Sequence, residues 1–402
     1  MTLALPLYLV FVLHENLISV GLVYFAIILF TSVTSFIFGV ASDKIGYAKT
    51  MLIAEILPFA GLCGLVLSTF AIGNADMALI VVLSAMLSGV SSVGGMRGAF
   101  SSGQMALVAN NWGEEKERIY KMGRIITIAS IASIIGGFLL VLQGILTGVF
   151  ESGAAEIVAS ALSYRYFFVF SAALVFVSMV CLYFVREADR IKKNGISIKK
   201  ESLAYTLRVM SSQILAGIGL GLALPILPAI IAKSFGLSSS IASQYVGYVF
   251  GIGYIFIALS SFYVSKEIYK RTMNTLKIAT LARVLQGALL VLMALSIVLL
   301  ASHAFAGLAA IGVIYIIYSL FTGVGAPMRQ AINVGGIHAD DYGTASAAMG
   351  ISIQLPQASS GASGFLSEMI SSFVSFPLAI GGLFIMASGV VYWKVLKGRQ
   401  KK

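Results

Sequence analysis

Apolar runs of roughly twenty residues, separated by short polar breaks, fill almost the whole of this 402-residue chain. About 20 consecutive apolar residues in an α-helix cross the hydrocarbon core of a bilayer. Inside that core no water can satisfy the backbone, so each run must close its own N–H and C=O groups as a helix. The runs lie near residues 1 to 14, 18 to 40, 51 to 73, 77 to 100, 123 to 146 and 165 to 185, and then near 203 to 232, 241 to 264, 273 to 300, 305 to 328, 343 to 367 and 371 to 393. Between the two sets, residues 186–202 form the most charged stretch of the chain, too polar for hydrocarbon and long enough to join two bundles. The expected fold is an all-α membrane protein of about twelve spans, with six-span bundles at 1–185 and 203–402 and a linker at 186–202.

Composition agrees. Hydrophobic residues make up 59% and charged residues 11%, where a soluble domain carries about 25% charged residues. The net charge of +11 sits in short loops and on no continuous face, so it argues for topology and against nucleic acid. Assigning loops alternately to two sides gathers Lys44, Lys49, Lys116, Arg118, Lys121, the linker, Lys266, Lys270, Arg271, Arg329 and the tail cations on one side. The other side keeps Arg165 and Lys233. The positive-inside rule then makes the linker and the C-terminus cytoplasmic in a multi-pass protein of the cell membrane. Cys63 and Cys181 fall inside apolar runs, too far apart for metal-ligand spacing, and read as packing residues.

The two halves share a feature. Leu3-Ala4-Leu5-Pro6-Leu7 lies in the first run and Leu222-Ala223-Leu224-Pro225-Ile226 near the end of the seventh, each followed by a short loop and another span. Parallel repeats about an axis along the membrane normal are a transporter architecture, with the solute site at the repeat interface. The seventh run has about twenty residues before this segment and the first has two. A helix starting there places an α-amino charge in hydrocarbon at a cost of at least about 2.5 kcal/mol. The expectation is that Met1 is internal to the native protein; the alternative is a genuine half-helix shielded by its neighbours.

Between the second and third runs stands Gly39-Val40-Ala41-Ser42-Asp43-Lys44-Ile45-Gly46-Tyr47-Ala48-Lys49. It resembles the G-x-x-x-D-[RK]-x-G-[RK] loop of the major facilitator superfamily, which places this motif between its second and third spans on the cytoplasmic side. The resemblance implies two six-helix bundles related by a pseudo-twofold axis and transport by alternating access. It also implies a latch in which Asp43, with Lys44, holds the bundles together on the cytoplasmic side. Gly39 allows close helix approach there and Gly46 a tight turn. Tyr47 departs from the basic residue of the pattern, and the corresponding loop of the second half, Ser265 to Arg271, lacks the glycines.

Ionisable residues inside a span are functional candidates when they face a cavity. Arg97, in Gly94-Gly95-Met96-Arg97-Gly98, either lines the solute path or snorkels to the interface. Arg329 reads as an interfacial anchor and Arg283 as a structural partner. Gln213 in the seventh run and Gln354 and Gln357 in the eleventh are polar candidates for substrate binding, since amides both donate and accept; bridging between helices is the alternative. No carboxylate falls centrally in the runs that line the path in the resembled family, so a carboxylate proton relay is not indicated.

The function expected is that of a secondary active transporter of a small organic solute, with a coupling ion such as the proton, working as a monomer in the lipid bilayer. Efflux of lipophilic drugs by antiport is the alternative within that class, and a non-transporting sensor or scaffold is the alternative outside it. No enzyme activity, cofactor or metal is expected. The chain has no G-x-x-x-x-G-K-[ST] loop, and His14, His303 and His338 all sit near span ends.

Overall fold

The computed structural model describes residues 3–70, 77–89, 105, 107–109, 111–185, 199–271, 273–338, 341–370 and 373–397. The chain runs through α1 (Ala4–Phe11), α2 (Leu17–Ile45), α3 (Tyr47–Ser68), α4 (Met77–Ser88), α5 (Glu115–Glu151), α6 (Glu156–Tyr183), α7 (Lys200–Ala223) and α8 (Leu227–Ser234). It continues through α9 (Ser239–Lys270), α10 (Thr275–Leu299), α11 (Ala304–Val334), α12 (Tyr342–Gln354), a 3-10 turn (Leu355–Ser359), α13 (Ser360–Met369) and α14 (Phe376–Leu396). Among the described residues, nine stretches are long and apolar enough to cross a bilayer. The first and eleventh runs appear as shorter helices, α1 and the broken series α12, 3-10 turn and α13, and α4 is the described part of the fourth.

Why these helices belong in lipid is visible on α5. Ile128, Ile131, Ile135, Phe138, Leu142, Ile145 and Val149 recur every three or four residues and all face outward, as one stripe of a 3.6-residue helix. Gly137, Val141, Gln143, Gly144 and Thr147 on the opposite stripe are buried. The helix is turned inside out relative to a soluble one, apolar side chains on its exterior and small or polar ones within. Cys63 and Cys181 are exposed on such outward faces, which corrects their reading as packing residues.

Helices outrun the apolar runs. The 37 residues of α5 span about 55 Å against about 30 Å of hydrocarbon, because a helix satisfies its own backbone in water as well as in lipid. The same effect carries α2 and α3 through the glycine-aspartate motif, with Gly46 alone between them at φ 111°. That conformation strains any residue with a Cβ.

Breaks have a local cause. Pro356 has no N–H to give the preceding turn, and the eleventh run passes into a 3-10 turn at Leu355–Ser359. Pro225 and Pro228 accompany the break between α7 and α8. The first half meets the second chiefly where α5 packs along α9 and where α2 packs along α12 and α13, with smaller contacts of α5 with α11 and of α1 with α8 and α9. The helix ends at Ile119, Ile268, Leu276, Ile337, Tyr342 and Leu396 gather in one apolar cluster, here called the basic face because its loops carry most of the cations.

Candidate functional site

Two apolar clusters bracket a polar layer. At the basic face, Ala109 and Ile119 from the first half pack with Val209, Ile268, Met328, Ile332 and Met349 from the second. At the opposite face, Leu5, Tyr8 and Leu9 of α1, Tyr24 of α2 and Tyr164 and Phe168 of α6 meet Ile226 to Ala232, Val246 and Phe250. The Tyr8 ring lies edge-on to Tyr164 and Phe168, at 5.2 Å from each, and its hydroxyl shares a 3.1 Å hydrogen bond with Ser68. The two leucine-proline segments seen in the sequence are neighbours in this second cluster, α1 lying against α8. In this conformation apolar side chains close the seam near both faces.

Between the clusters lie Ser212, Gln213, Ser352, Gln354 and Gln357, all buried. Ser352 donates to Gln213 Oε1 at 2.6 Å across α7 and α12. The buried Oε1 of Gln354 has no hydrogen-bond partner among the described residues. An unmet amide inside a membrane protein costs free energy, about 1–3 kcal/mol by mutational measures, and a polar ligand removes that cost. Glycines set the spacing of this layer: a Cβ on Gly217 would meet Ile353 O and Pro356, and one on Gly221 would meet Gln357 O. Ser359 and Ser363 donate to the carbonyls of Ile218 and Leu222 at 2.9 and 2.6 Å, fixing α13 to α7.

The sequence candidates are thus partly gathered. Gln213, Gln354 and Gln357 are all buried along the seam where α7 meets the broken eleventh run, Gln213 facing Ser352 and Gln357 lying beside Gly221 further along α7. Gly39 is buried, and its carbonyl accepts from Ser42 Oγ at 2.6 Å. Arg97 and the side chains of Asp43 and Lys44 lie outside the described residues.

Two constellations escaped the sequence reading. Arg283 of α10 and Arg329 of α11 are neighbours inside the second half: the Arg329 guanidinium lies against Gly325, which faces Ala282, the residue before Arg283. Arg283 Nη1 donates to Ser212 Oγ at 3.3 Å, and Ser212 donates on to Ser388 O at 2.8 Å. The Tyr392 ring centre lies 5.9 Å from the Arg283 guanidinium carbon, and the Tyr392 hydroxyl donates to Asn333 Oδ1 at 3.0 Å. Arg329 is partly exposed and follows Met328 of the basic-face cluster. Its guanidinium folds back over Gly325 and Ala282, and its buried Nη1 has no partner among the described residues.

The second is Glu368, at the end of α13 on the face opposite the basic one. One carboxylate oxygen accepts from Lys233 Nζ at 2.6 Å and from the Leu17 N–H at 3.1 Å. Leu17 opens α2, whose first turn has unsatisfied N–H groups and a partial positive charge; Asn16 caps Ser19 N–H at 2.8 Å and Glu368 takes Leu17. The carboxylate therefore ties the first half to the second. Burial by itself would raise its pKa, but the Lys233 bond, the Leu17 N–H and the charge of Lys233 together hold it below the usual carboxylate range. A lone glutamate at a span end gives no sequence signal of this kind; only the fold brings residues 17, 233 and 368 to one point.

The family model described as Major Facilitator Superfamily matches residues 1–361. Among solved structures, the proton:xylose symporter XylE of E. coli superposes with a TM-score of 0.67 at 14% identity, over 97% of this chain and 90% of that one. The human organic anion transporter MFSD10 gives 0.61 at 15% identity, over 92% and 83%. The E. coli fucose:proton symporter FucP gives 0.60 at 13% identity, over 98% of each chain. These identities speak to fold alone. Among curated proteins there is no significant sequence match.

Proposed function

This chain belongs to the major facilitator superfamily, and from that membership we propose that it moves a small organic solute across the cell membrane by alternating access, with the solute held in the polar layer between the two apolar clusters. It is a transporter and not an enzyme. The observation that carries the location is the buried Gln354 Oε1, without a hydrogen-bond partner among the described residues, where the eleventh span breaks. Irregular backbone at membrane depth is tolerated where it lines a cavity or is buried in protein.

Bundles at 1–185 and 203–402, related by a pseudo-twofold axis, rock about this layer as a monomer, and the basic face with the 186–202 linker is cytoplasmic. Gly39, Asp43, Lys44 and Gly46 form the cytoplasmic latch, and Arg97 joins the glutamines at the solute. A proton is the coupling ion, in keeping with the proton-coupled symporters among the structural neighbours. Arginines without central acids favour a polar or anionic solute over a lipophilic cation. Proteoliposomes loaded to set a proton gradient should accumulate radiolabelled polar or acidic solutes; movement of lipophilic cations alone would replace this reading with drug efflux, and movement of no solute would leave only the sensor reading.

Replacing Gln213→Leu removes one amide at the solute while keeping its volume. Loss of a hydrogen bond worth about 1–1.5 kcal/mol predicts a KM increase of about 5- to 13-fold, beside a Tm lower by a few degrees from loss of the Ser352 bond. An unchanged KM would remove Gln213 from the site.

Glu368 adds a pH dependence with a definite sign. The outer-closed state holds Glu368 with a depressed pKa, and the outer-open state frees it, so the closed state binds fewer protons. Closure is therefore favoured above the free carboxylate's range and is lost as pH falls through the depressed pKa. Exposed pairs of this type are worth about 0.2–1 kcal/mol, so acidification should raise outer-face labelling of Val12→Cys, placed in a Cys63→Ala, Cys181→Ala background, by about 2- to 5-fold. In Glu368→Gln that pH dependence should disappear; its persistence would assign it elsewhere.

A further inference from the structure

The geometry points to an anion-binding site formed by Arg283 and Arg329 within the second half of the molecule, enclosed by α7, α10, α11 and α14. Arg283 is 7% exposed, and its one hydrogen bond among the described residues is to a serine hydroxyl. Arg329 keeps a buried Nη1 with no acceptor. Neither has a carboxylate among the described residues within ion-pair distance; Arg283 lies near the Arg329 charge and near Tyr318 and Tyr392, and Arg329 lies near the same two tyrosines. Two guanidiniums that repel one another in a low-dielectric interior are held together only if negative charge is placed between or beside them.

The surroundings suit an anion more than a second protein charge. Ser212 is already turned to donate to Ser388 O, leaving the Arg283 fork with further donors unspent. Tyr392 is oriented by Asn333 and presents its ring toward Arg283. A planar guanidinium pair with free N–H groups matches a carboxylate-sized or halide-sized group of one negative charge. That group is either a free inorganic ion or the acidic substituent of an organic molecule. This site is built from α7, α10, α11 and α14 and shares only Ser212 with the polar layer, and anion binding there is measured without reference to transport.

Thermal unfolding of the purified full chain in detergent tests it, with potassium salts compared at matched ionic strength to remove general screening. Gluconate serves as the bulky reference, chloride, bromide and nitrate as inorganic probes, and acetate, lactate and benzoate as carboxylate probes. The expected result is a saturable rise in Tm of about 2–5 °C over gluconate in at least one of the two sets. A response to inorganic ions identifies a resident ion, and a response confined to carboxylates identifies the acidic group of an organic ligand. Arg329→Gln and Arg283→Gln should each lose the response. Because each also removes the repulsion, their Tm in gluconate should equal or exceed that of the unsubstituted chain, a crossing that simple loss of packing does not produce. Arg329→Lys, which keeps the charge, should retain a weakened response if the glutamine variants fail to fold. A Tm of the unsubstituted chain that is the same in every salt overturns the site, as does a full response in the Arg283→Gln, Arg329→Gln double variant.

Discussion

Gly364→Val should reduce transport at least 10-fold while leaving the protein folded. The reason is the contact between α2 and α13 at the face opposite the basic one. A Cβ on Gly364 would overlap Leu17 O and lie 3.1 Å from Ile18 Cα, and a Cβ on Gly21 would lie 2.8 Å from Ser360 O. All are backbone atoms, which cannot swing aside as a side chain tip can. The two helices must separate, and they belong to different halves, so separation is available at little cost to either bundle: in the proposed alternating-access cycle it is the movement that opens this face. Overpacking of about 1–3 kcal/mol then acts on the equilibrium between closed and open, a shift of roughly 5- to 150-fold toward open. Impermeant maleimide should label Val12→Cys, which is 4% exposed in the closed state, correspondingly faster. Gly136→Val, whose Cβ meets nothing within 4 Å, is the matched control and should transport normally. Normal transport by Gly364→Val would mean that this seam need not close in the cycle.

The same steric change inside one half should instead destabilise the protein. Gly287 of α10 and Gly382 of α14 face each other; a Cβ on Gly382 would stand 2.5 Å from Gly287 O and 2.8 Å from a Val291 methyl carbon. No functional motion separates these two helices, and α10 also packs on α11, so the overlap has no outlet. Gly382→Leu should lose about 3 kcal/mol, a drop in Tm of about 6 °C or more. Leu383→Ala, one residue further and on the exposed side, should change Tm far less. A Tm for Gly382→Leu within a degree of the unsubstituted chain would show that the α10–α14 contact is looser than these distances require. Glycine contacts between halves thus report on the cycle and those within a half on stability.

Much of this was legible from sequence for a plain reason. The membrane imposes one rule on every span, so a run of about 20 apolar residues is a helix whatever its neighbours do. Breakers are local as well: Pro356 ends a helix by lacking an N–H, and Gly46 takes a backbone angle that a Cβ resists. The ends of helices were less legible, since α2, α5 and α9 continue past their apolar runs into water, where nothing local stops them. Cys63 and Cys181 were misjudged because an apolar run does not say which of its faces meets lipid.

Spacing along the chain also left the candidate site half drawn. Gln213, Gln354 and Gln357 were found because amides are rare in such runs. Arg283 and Arg329 were seen singly, each with a separate structural role, and Glu368 was not seen at all. By itself, the amino-acid sequence determined that the chain is a set of helices dissolved in lipid, because solvation of the backbone is a local matter that each run answers alone. Only the tertiary structure decided which charges lack a partner and which carbonyls touch, because those depend on residues such as 17, 233 and 368 that packing brings together and sequence separation keeps apart.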